Sequence, residues 1–576
     1  MAGAQAPDGY INTFVQVTAG DGGRFADLAV NHEIFNVAAL TQAAVAQVRS
    51  GHDDGLAEVA VRAVDQLAAT FGPGRRRGVC GHPLIEMALT ELFRLSGRRK
   101  YLQQAEFFVG QRGQGLLAGS ALGPPSYFSD RVPVRDATTV EGHAVRAVYL
   151  AAGATDVAVE THDDELLAAL RRQWEAVLAT KMYLTGGLGS RWEGESFGDP
   201  YELPNDRAYC ETCAAVASVQ WAWRLLLHTG DARYADLIER TLFNAVLPGL
   251  SLRSDRFFYV NVLQLRADAV DNGGDGRSPA GGRRPWFGTS CCPTNLMRTI
   301  SSLAHYCFTR SDRGLQVHQY APSTVRTVVA GAEVVADVAT GYPWDGDIEV
   351  TVRETGEAPW ELCLRVPGWA VGASLLVNGR EAPSPAEPGG YYRAERSWRR
   401  GDTVRLGLPM DPRLTTGSHR ADAVRGCGAI ERGPLVYCIE QADQPPGVLV
   451  DEVVLERGDM VCQARPDLLG GVTTIEVPGI EVPGIEVPGS GAVPEPGAAP
   501  YYRDGPPWTG PRPNLAAGER ARLLAVPYFA WANRGPGAMR VWVPIALYTP
   551  RTTAAERAGS RTPPVASDQS LPSTSR

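Results

Sequence analysis

The 576-residue sequence lacks the features that mark membrane, nucleic-acid-binding or disulfide-rich secreted proteins. No apolar run reaches the roughly 18 residues that a membrane span needs. Residues 1–10 contain no basic segment followed by an apolar stretch, as a secretory signal would. No long basic run accompanies the net charge of −8, which argues against nucleic acid and anionic membrane as partners. The ten cysteines have no regular spacing, so we expect reduced thiols and a cytoplasmic protein.

Hydrophobic content of 44% and charged content of 21% are typical of a soluble globular protein, and the length predicts two to four domains. Apolar periodicity in the first half predicts helices in pairs. The predicted pairs are 31–48 with 55–71, 81–95 with 102–112, 141–152 with 163–180, and 213–227 with 235–246, followed by 296–308. Two pairs share the connection Ser/Thr-Gly-x-x-Lys/Arg-Tyr, at 96–101 and 229–234. Repeated helical pairs indicate an array that stacks or closes.

From residue 314 onward the pattern changes to short alternating segments, which predict strands and β-sandwich domains. The predicted strands are 315–320, 333–338, 347–352, 361–366 and 374–377, with a second group between 427 and 547. The motif Ile-Glu-Val-Pro-Gly occurs three times between 475 and 489, and we interpret 475–500 as a low-complexity surface insertion. The predicted divisions are 1–312 helical, 313–425 and 426–550 β-sandwich, and 551–576 a disordered tail.

Four possible metal ligands lie at the starts of predicted helices. Glu211 and Cys213 begin one helix, and the adjacent Cys291 and Cys292 precede another. Adjacent cysteines are unsuited to an ordinary disulfide, but they can bind one soft metal together. Three sulfurs and one carboxylate make a plausible closed Zn²⁺ site. The alternative is that the cysteines are small buried core residues.

Three histidines occupy the same kind of position as these ligands. His32, His82 and His143 each begin the first helix of a predicted pair. If the inner helices run in the same direction, all these groups lie at one rim of the helical array. Each histidine alone has the alternative interpretation of an ordinary surface or core residue.

Several longer motifs resemble glycoside hydrolase family 127, the β-L-arabinofuranosidase family. The resemblance rests on Glu-Thr-Cys at 211–213, Gly-Asp-Ala-Arg-Tyr-Ala-Asp-Leu-Ile-Glu-Arg at 230–240, Phe-Phe-Tyr-Val-Asn at 257–261, Cys-Cys-Pro at 291–293, Gly-His-Ala-Val-Arg-Ala at 142–147, Tyr-Pro-Trp-Asp-Gly-Asp at 342–347 and Tyr-Phe-Ala-Trp-Ala-Asn-Arg-Gly-Pro-Gly at 528–537. It extends from about residue 5 to residue 550. It implies an (α/α)6 six-hairpin barrel carrying β-sandwich domains. It also implies a zinc-dependent retaining exo-glycosidase with a cysteine nucleophile, which removes terminal non-reducing β-L-arabinofuranosyl residues.

The resemblance assigns roles residue by residue. Cys291 matches the nucleophile, and the metal ligands are Glu211, Cys213, Cys291 and Cys292. The acid/base glutamate corresponds to Glu195, with Glu193 as the competing choice. The sugar-binding positions correspond to His32, His82, His143 and Tyr259, with Glu239 as a further candidate. A furanosyl oligosaccharide or glycoconjugate is then the partner, and a homodimer is possible.

One departure from the family pattern leaves alternatives open. The family usually has a further helical segment before the motif Pro-Asp-Gly-Tyr-Ile-Asn-Thr at 7–13, so we expect a barrel without its first helices and with exposed apolar inner faces. A late gene start or a partner chain would account for it. The alternatives to the enzyme are a weak or inactive sugar-binding protein with a structural zinc site, and an inverting hydrolase that uses only carboxylates.

Overall fold

The computed structural model describes residues 1–52, 54–271, 277–382, 386–481 and 519–546. In these ranges a short helix precedes nine helices of ten or more residues, the number that the periodicity predicts. They are α1 (Thr13–Thr18), α2 (Glu33–Arg49), α3 (Leu56–Thr70), α4 (Ile85–Ser96), α5 (Arg99–Gln111), α6 (Ala144–Thr161), α7 (Asp164–Thr180), α8 (Thr212–Thr229), α9 (Ala232–Thr241) and α10 (Cys291–Ser301). Within the described ranges, no helix has the length and apolar character to cross a membrane.

The helices form two layers. The inner helices α2, α4, α6, α8 and α10 each contact the next in this order, and α3, α5, α7 and α9 each contact the helix before them. Arg298 of α10 donates a hydrogen bond to Gln42 of α2 at 2.9 Å, which brings the last inner helix to the first. We predicted exposed apolar side chains on the inner helices, and Met297 on the inner helix α10 is 64% exposed. The (α/α)6 barrel without its first helices stays a prediction.

The two predicted connections of the type Ser/Thr-Gly-x-x-Lys/Arg-Tyr have the same structure. Gly97 ends α4 and Gly230 ends α8, both with the left-handed backbone that favours glycine after a helix. Tyr101 and Tyr234 then anchor the following helices, since both are fully buried. The shared motif therefore sets the reversal from an inner helix to its outer partner.

Two sheets follow the helices and share one apolar core. One has the strand order β10-β7-β3-β2 and the other β4-β5-β6-β11-β8-β9. Their bounds are β2 (Phe308–Arg310), β3 (Gly314–Val317), β4 (Ser323–Val329), β5 (Ala332–Thr340), β6 (Asp347–Glu354), β7 (Trp360–Val366), β8 (Ser374–Val377), β9 (Arg380–Glu381), β10 (Gly390–Arg396) and β11 (Thr403–Gly407). The core includes Leu315, Ile348 and Leu362 from three of these strands. The sheet region begins slightly before residue 313, because β2 pairs with β3.

Within the described residues, the remaining strands are connected by hydrogen bonds into one set, and their packing as a second sandwich stays a prediction. The ten strands of this set are β1 (Gln264–Leu265), β12 (Pro412–Thr416), β13 (Cys427–Arg432), β14 (Leu435–Glu440), β15 (Val453–Leu455), β16 (Val461–Arg465), β17 (Val472–Glu481), β18 (Glu519–Pro527), β19 (Met539–Arg540) and β20 (Trp542–Pro544). A short pairing of β13 with β14 joins its two parts. The predicted boundary at 425 assigned residues 412–416 to the first sandwich. Because β12 pairs with β13, these residues instead belong to the later set of strands.

The first copy of the five-residue repeat is a buried strand, which corrects the prediction of a surface insertion from 475. Ile475 and Val477 in β17 are 0% and 2% exposed. Pro478 cannot donate to a neighbouring strand. It lies between the segment of β17 that pairs with β16 and the segment that pairs with β15, and its carbonyl accepts from the Glu456 amide at 3.0 Å. The second copy begins within β17 at Ile480, whereas residues 482–500 of the predicted insertion and the predicted tail lie outside the described residues.

Candidate active site

The segment Phe257–Asn261 holds the beginning of α8 in place. The Thr212 amide donates to the Tyr259 carbonyl at 3.1 Å, and the Asn261 side-chain amide donates to the Cys210 carbonyl at 2.9 Å. The C-terminal sheet region supports this segment from behind, because the Trp531 ring stacks on Phe258 with centroids 5.0 Å apart. Residues far apart in sequence therefore set the position of Glu211 and Cys213.

Three thiols and one carboxylate converge where α8 and α10 begin. The Cys213 sulfur lies 3.1 Å from the Cys291 sulfur and 3.5 Å from that of Cys292, and the two adjacent sulfurs are 3.8 Å apart. The Glu211 Oε1 lies 3.2 Å from the Cys291 sulfur. All four ligand atoms lie within 4.8 Å of one another. The structure therefore brings together the four predicted metal ligands.

This donor set fits a tetrahedral zinc ion. With Zn–S bonds of about 2.3 Å, ideal tetrahedral geometry separates two sulfurs by about 3.8 Å. The separation of Cys291 and Cys292 equals this value, and the two from Cys213 are shorter, at 3.1 and 3.5 Å. Glu211 is 2% exposed, and its Oε2 has no hydrogen-bond partner among the described residues. A buried carboxylate oxygen without a partner is costly unless a cation satisfies it.

The protein environment by itself shifts the pKa values of the four groups in different directions. Burial raises the pKa of Glu211, Cys213 and Cys292 well above their ordinary values. For Cys291, hydrogen bonds from the other two cysteines outweigh burial and lower the pKa to about 3. A bound dication would favour deprotonation of all four, because metal ligands must lose their protons. Cys291 is therefore the sulfur that most readily carries negative charge here.

Glu195 reaches this cluster from a tight turn. Its φ is 52°, an uncommon backbone conformation for a side chain other than glycine, and Gly194 before it has a φ of 69°. Its Oε2 lies 3.0 Å from His143 Nε2, and its Oε1 contacts Arg277. Burial raises the pKa of Glu195, but the hydrogen bonds from His143 and Arg277 outweigh burial and lower the pKa to about 2. The competing Glu193 is exposed, whereas a Glu195 oxygen lies within 4.8 Å of Glu211, so the geometry favours Glu195.

The three predicted histidines lie in a row beside the thiol cluster. The ring centroids of His32 and His82 are 5.8 Å apart, and those of His82 and His143 are 6.3 Å apart. Burial lowers the pKa of all three, so they are neutral near pH 7 and able to hydrogen-bond uncharged hydroxyls. Ligand atoms of His143, Glu195 and Glu211 lie within 4.8 Å of one another, which joins the row to the cluster.

Tyrosine and arginine side chains complete the site, and only one of them was predicted. The predicted Tyr259 has its hydroxyl 3.3 Å from the Cys291 sulfur. The Tyr149 ring lies 5.9 Å from that of His82, and the Tyr127 ring lies 5.7 Å from that of His143. Arg277 contacts Glu195 from a loop without any periodic pattern, so no signal in the sequence pointed to it.

Glu239 is not part of this site, which corrects its assignment as a sugar-binding candidate. It is 2% exposed on α9 and faces the first sheet region. Its Oε1 accepts hydrogen bonds from Tyr342 at 2.6 Å and from Arg365, and its Oε2 lies 3.4 Å from Trp369 Nε1. The periodicity of α9 does not reveal this, because the partners lie more than 100 residues later.

Comparison with known sequence families gives the class of the protein. The profile of the β-L-arabinofuranosidase GH127 catalytic domain matches residues 1–305, and that of the GH127 middle domain matches residues 314–410. The profile of the glycoside hydrolase family 127 C-terminal domain matches residues 412–544. The protein is therefore a glycoside hydrolase. The chain belongs to glycoside hydrolase family 127, as its motifs predict.

Individual relatives agree with this assignment. A non-reducing end β-L-arabinofuranosidase of Bifidobacterium longum subsp. longum is 35% identical over 94% of this chain and 83% of its own length. The crystal structure of a GH127 β-L-arabinofuranosidase from Geobacillus stearothermophilus T6 is similar, with 34% identity, a TM-score of 0.84, and coverage of 94% of this chain and 84% of that one. Another GH127 β-arabinofuranosidase structure has 32% identity and a TM-score of 0.81, with coverage of 95% and 83%.

Proposed function

We propose that this protein hydrolyses terminal non-reducing β-L-arabinofuranosyl residues with retention of configuration, using Cys291 as nucleophile and Glu195 as acid/base. The observation that carries the proposal is the position of these two groups around Glu211. The Glu211 carboxylate lies 3.2 Å from the Cys291 sulfur and within 4.8 Å of a Glu195 oxygen. The names of two relatives, both β-L-arabinofuranosidases, support the choice of sugar.

Glu211, Cys213, Cys291 and Cys292 would hold one zinc ion. Zinc bound there would stabilise the Cys291 sulfur as a thiolate, the reactive form of cysteine. The beginning of α10 adds to this, because the partial positive charge of a helix N-terminus favours an anion. Tyr259, whose hydroxyl lies 3.3 Å from the sulfur, would donate a hydrogen bond to the thiolate.

In the first step, the Cys291 thiolate attacks the anomeric carbon and forms a carbon–sulfur bond. The bond from that carbon to the leaving-group oxygen breaks, and its electron pair stays on the oxygen. This step needs Glu195 in its protonated form, which the hydrogen bonds from His143 and Arg277 disfavour in the free site. The protonated Glu195 carboxyl transfers its proton to that oxygen, and the alcohol leaves. The product on the enzyme is a glycosyl thioether, and Glu195 is now a carboxylate.

In the second step, a water oxygen attacks the anomeric carbon while Glu195 takes a proton from the water. The carbon–sulfur bond breaks, and its electron pair returns to Cys291 as thiolate. Two inversions at the same carbon give net retention. Glu195 is protonated again and Cys291 is ionised, so the site returns to its starting state.

The row of histidines would recognise the sugar. His32 and His82 are neutral and close to each other, so their ring nitrogens suit hydrogen bonds to furanose hydroxyls. A site built to bond hydroxyls rejects substrates that lack them, because buried polar groups would then remain unpaired. His143 binds Glu195 and would orient the acid/base as well as the sugar.

The test uses Glu195→Ala with a nitrophenyl β-L-arabinofuranoside. A good leaving group needs little protonation, so the first step should proceed, while the second step should stall without a base. Mass spectrometry should then find one pentose on the peptide that contains Cys291. Glu193→Ala is the matched control, since this exposed neighbour should turn over substrate without accumulating the adduct. A label on a glutamate peptide, or no label at all, would overturn the proposal.

A further inference from the structure

Arg277 binds the residues around Glu195 from a loop at the edge of the site. Its Nη1 contacts Glu195 Oε1 and lies 2.6 Å from the Tyr209 hydroxyl, and its Nη2 lies 3.3 Å from Thr289 Oγ1. Its guanidinium carbon lies 4.4 Å from the centroid of the Tyr259 ring. The side chain is only 13% exposed. One guanidinium therefore links the Glu195 turn to the aromatic wall and to the loop that leads to Cys291.

Glu195 needs support of this kind, because the turn that carries it is not part of a regular helix or strand. His143 supplies one fixed contact. The Val145 amide donates to His143 Nδ1 at 3.2 Å, so the neutral ring carries its proton on Nε2 and donates it to Glu195 Oε2. Arg277 binds the other oxygen, Oε1. With both oxygens held, the carboxylate plane cannot rotate, and the unused lone pairs keep one direction.

We propose that Arg277 is the positioning residue that aligns Glu195 with the leaving-group oxygen. The inference rests on the proposed function, because it takes Glu195 to be the acid/base. Arg277 acts through Glu195 and not on the sugar's anomeric carbon. Its loss should therefore affect substrates in proportion to the protonation that their leaving groups need.

The contrast with a nearby arginine supports a role beyond folding. Arg283 is 5% exposed and donates hydrogen bonds to the Pro248 and Trp531 carbonyls, as expected of an arginine that holds backbone segments together. The contacts of Arg277 described above are instead to side chains, and one of them is the proposed acid/base. A planar fork of donors suits this, because it can contact a carboxylate and a phenol together.

The experiment compares kcat/KM for two substrates of the same sugar, one with a nitrophenyl and one with an alkyl leaving group. In Arg277→Ala, kcat/KM for the alkyl substrate should fall about 10- to 100-fold, because a misaligned acid loses much of general acid catalysis. For the nitrophenyl substrate it should fall less than about 3-fold, since that first step needs little proton transfer. Arg277→Lys keeps the charge without the fork, and it should recover part of the loss.

Arg284→Ala is the matched control. Arg284 lies in the same part of the chain and is 31% exposed, but the carboxylate that it pairs with is Asp271 and not Glu195. Its loss should leave the ratio of the two kcat/KM values unchanged. Azide gives a second readout, in kcat, which includes the second step and should fall for the nitrophenyl substrate in both Arg277→Ala and Glu195→Ala. As a nucleophile that needs no base, azide should restore this kcat. A lesion that is merely structural would not be restored.

The outcomes separate the two proposals. If Glu195→Ala shows the dependence on leaving group but Arg277→Ala loses activity equally on both substrates, Arg277 has only a structural role and this inference is wrong. If Glu195→Ala itself shows no such dependence, the assignment of the acid/base is wrong. If Arg277→Ala does not fold, the ratio for Arg277→Lys decides: an unchanged ratio overturns the inference.

Discussion

Two buried glutamates on neighbouring helices, Glu211 and Glu239, show how differently the same residue type can be used. Each is 2% exposed. Glu239 has donors on both oxygens, supplied by Tyr342, Arg365 and Trp369. Glu211 lies against thiols, and its Oε2 has no hydrogen-bond partner among the described residues. A buried carboxylate that the chain itself satisfies holds domains together, whereas one left unsatisfied points to a ligand that the chain does not supply.

The largest expected effect is the loss of Cys291, the proposed nucleophile beside Glu211. Cys291→Ser should lower kcat at least about 10⁴-fold, because a serine hydroxyl is far less ionised than this thiol and binds zinc more weakly. The measurement is turnover of a nitrophenyl β-L-arabinofuranoside. Cys307→Ser is the control, since this half-buried thiol donates to the Leu303 carbonyl and is not one of the four clustered groups. Appreciable activity in Cys291→Ser would mean that the cysteine is a metal ligand and the nucleophile lies elsewhere.

The second largest effect concerns zinc binding, and it tests the inference from the Glu211 oxygen that has no hydrogen-bond partner among the described residues. Elemental analysis of the purified protein should find about one zinc per chain, as one closed site requires. Mutation of a residue that only contacts a metal ligand lowers metal affinity by about 10- to 100-fold, so Cys213→Ser, which removes a proposed ligand, should lower zinc affinity by more than that. Removing zinc with a chelator should abolish activity and lower the melting temperature. If Cys213→Ser keeps its zinc, the cluster is not the binding site.

Glu239, whose two oxygens both have donors, should contribute to stability and not to catalysis. Glu239→Gln removes a negative charge that balances the positive charge of Arg365, which is 0% exposed. The free energy of unfolding should therefore fall by about 3–5 kcal/mol. Zinc content and kcat per folded molecule should stay at the wild-type level. Glu175→Gln breaks an exposed pair with Arg233 and should cost at most about 1 kcal/mol. A raised KM at unchanged stability would instead restore Glu239 as a sugar-binding residue.

The smallest effect concerns pH and the same helix–sheet interface. Burial, with a contribution from Arg365, lowers the pKa of His318 to about 3. The unfolded chain takes up this proton below its ordinary pKa near 6.5, while the folded chain does not until about pH 3, so stability is full above pH 6.5 and falls as the pH drops. His318→Gln should make this fall shallower by up to about 1.4 kcal/mol per pH unit between 6.5 and 4.5. Denaturant unfolding at several pH values measures it, and identical slopes would contradict the prediction.

Local patterns predicted much of the fold. The helix periodicity predicted nine helices, and the glycine–tyrosine connections predicted two of the reversals, because both depend on residues a few positions apart. The prediction for the repeat at 475 was wrong because it, too, used only residues a few positions apart. Composition indicated a surface insertion, but β18, about 45 residues later in the sequence, pairs with this segment and makes it a buried strand.

By itself, the sequence determined the family and the helix starts that carry the candidate ligands, since the motifs at 211–213 and 291–293 need no partner to be recognised. Only the tertiary structure decided which acidic residues work together. It placed Glu211 against Cys291 and Glu239 against Arg365, and it brought Arg277 onto Glu195. The physical reason is that a residue type is local, whereas the contacts that satisfy or expose a buried charge join segments about 80 to 130 residues apart.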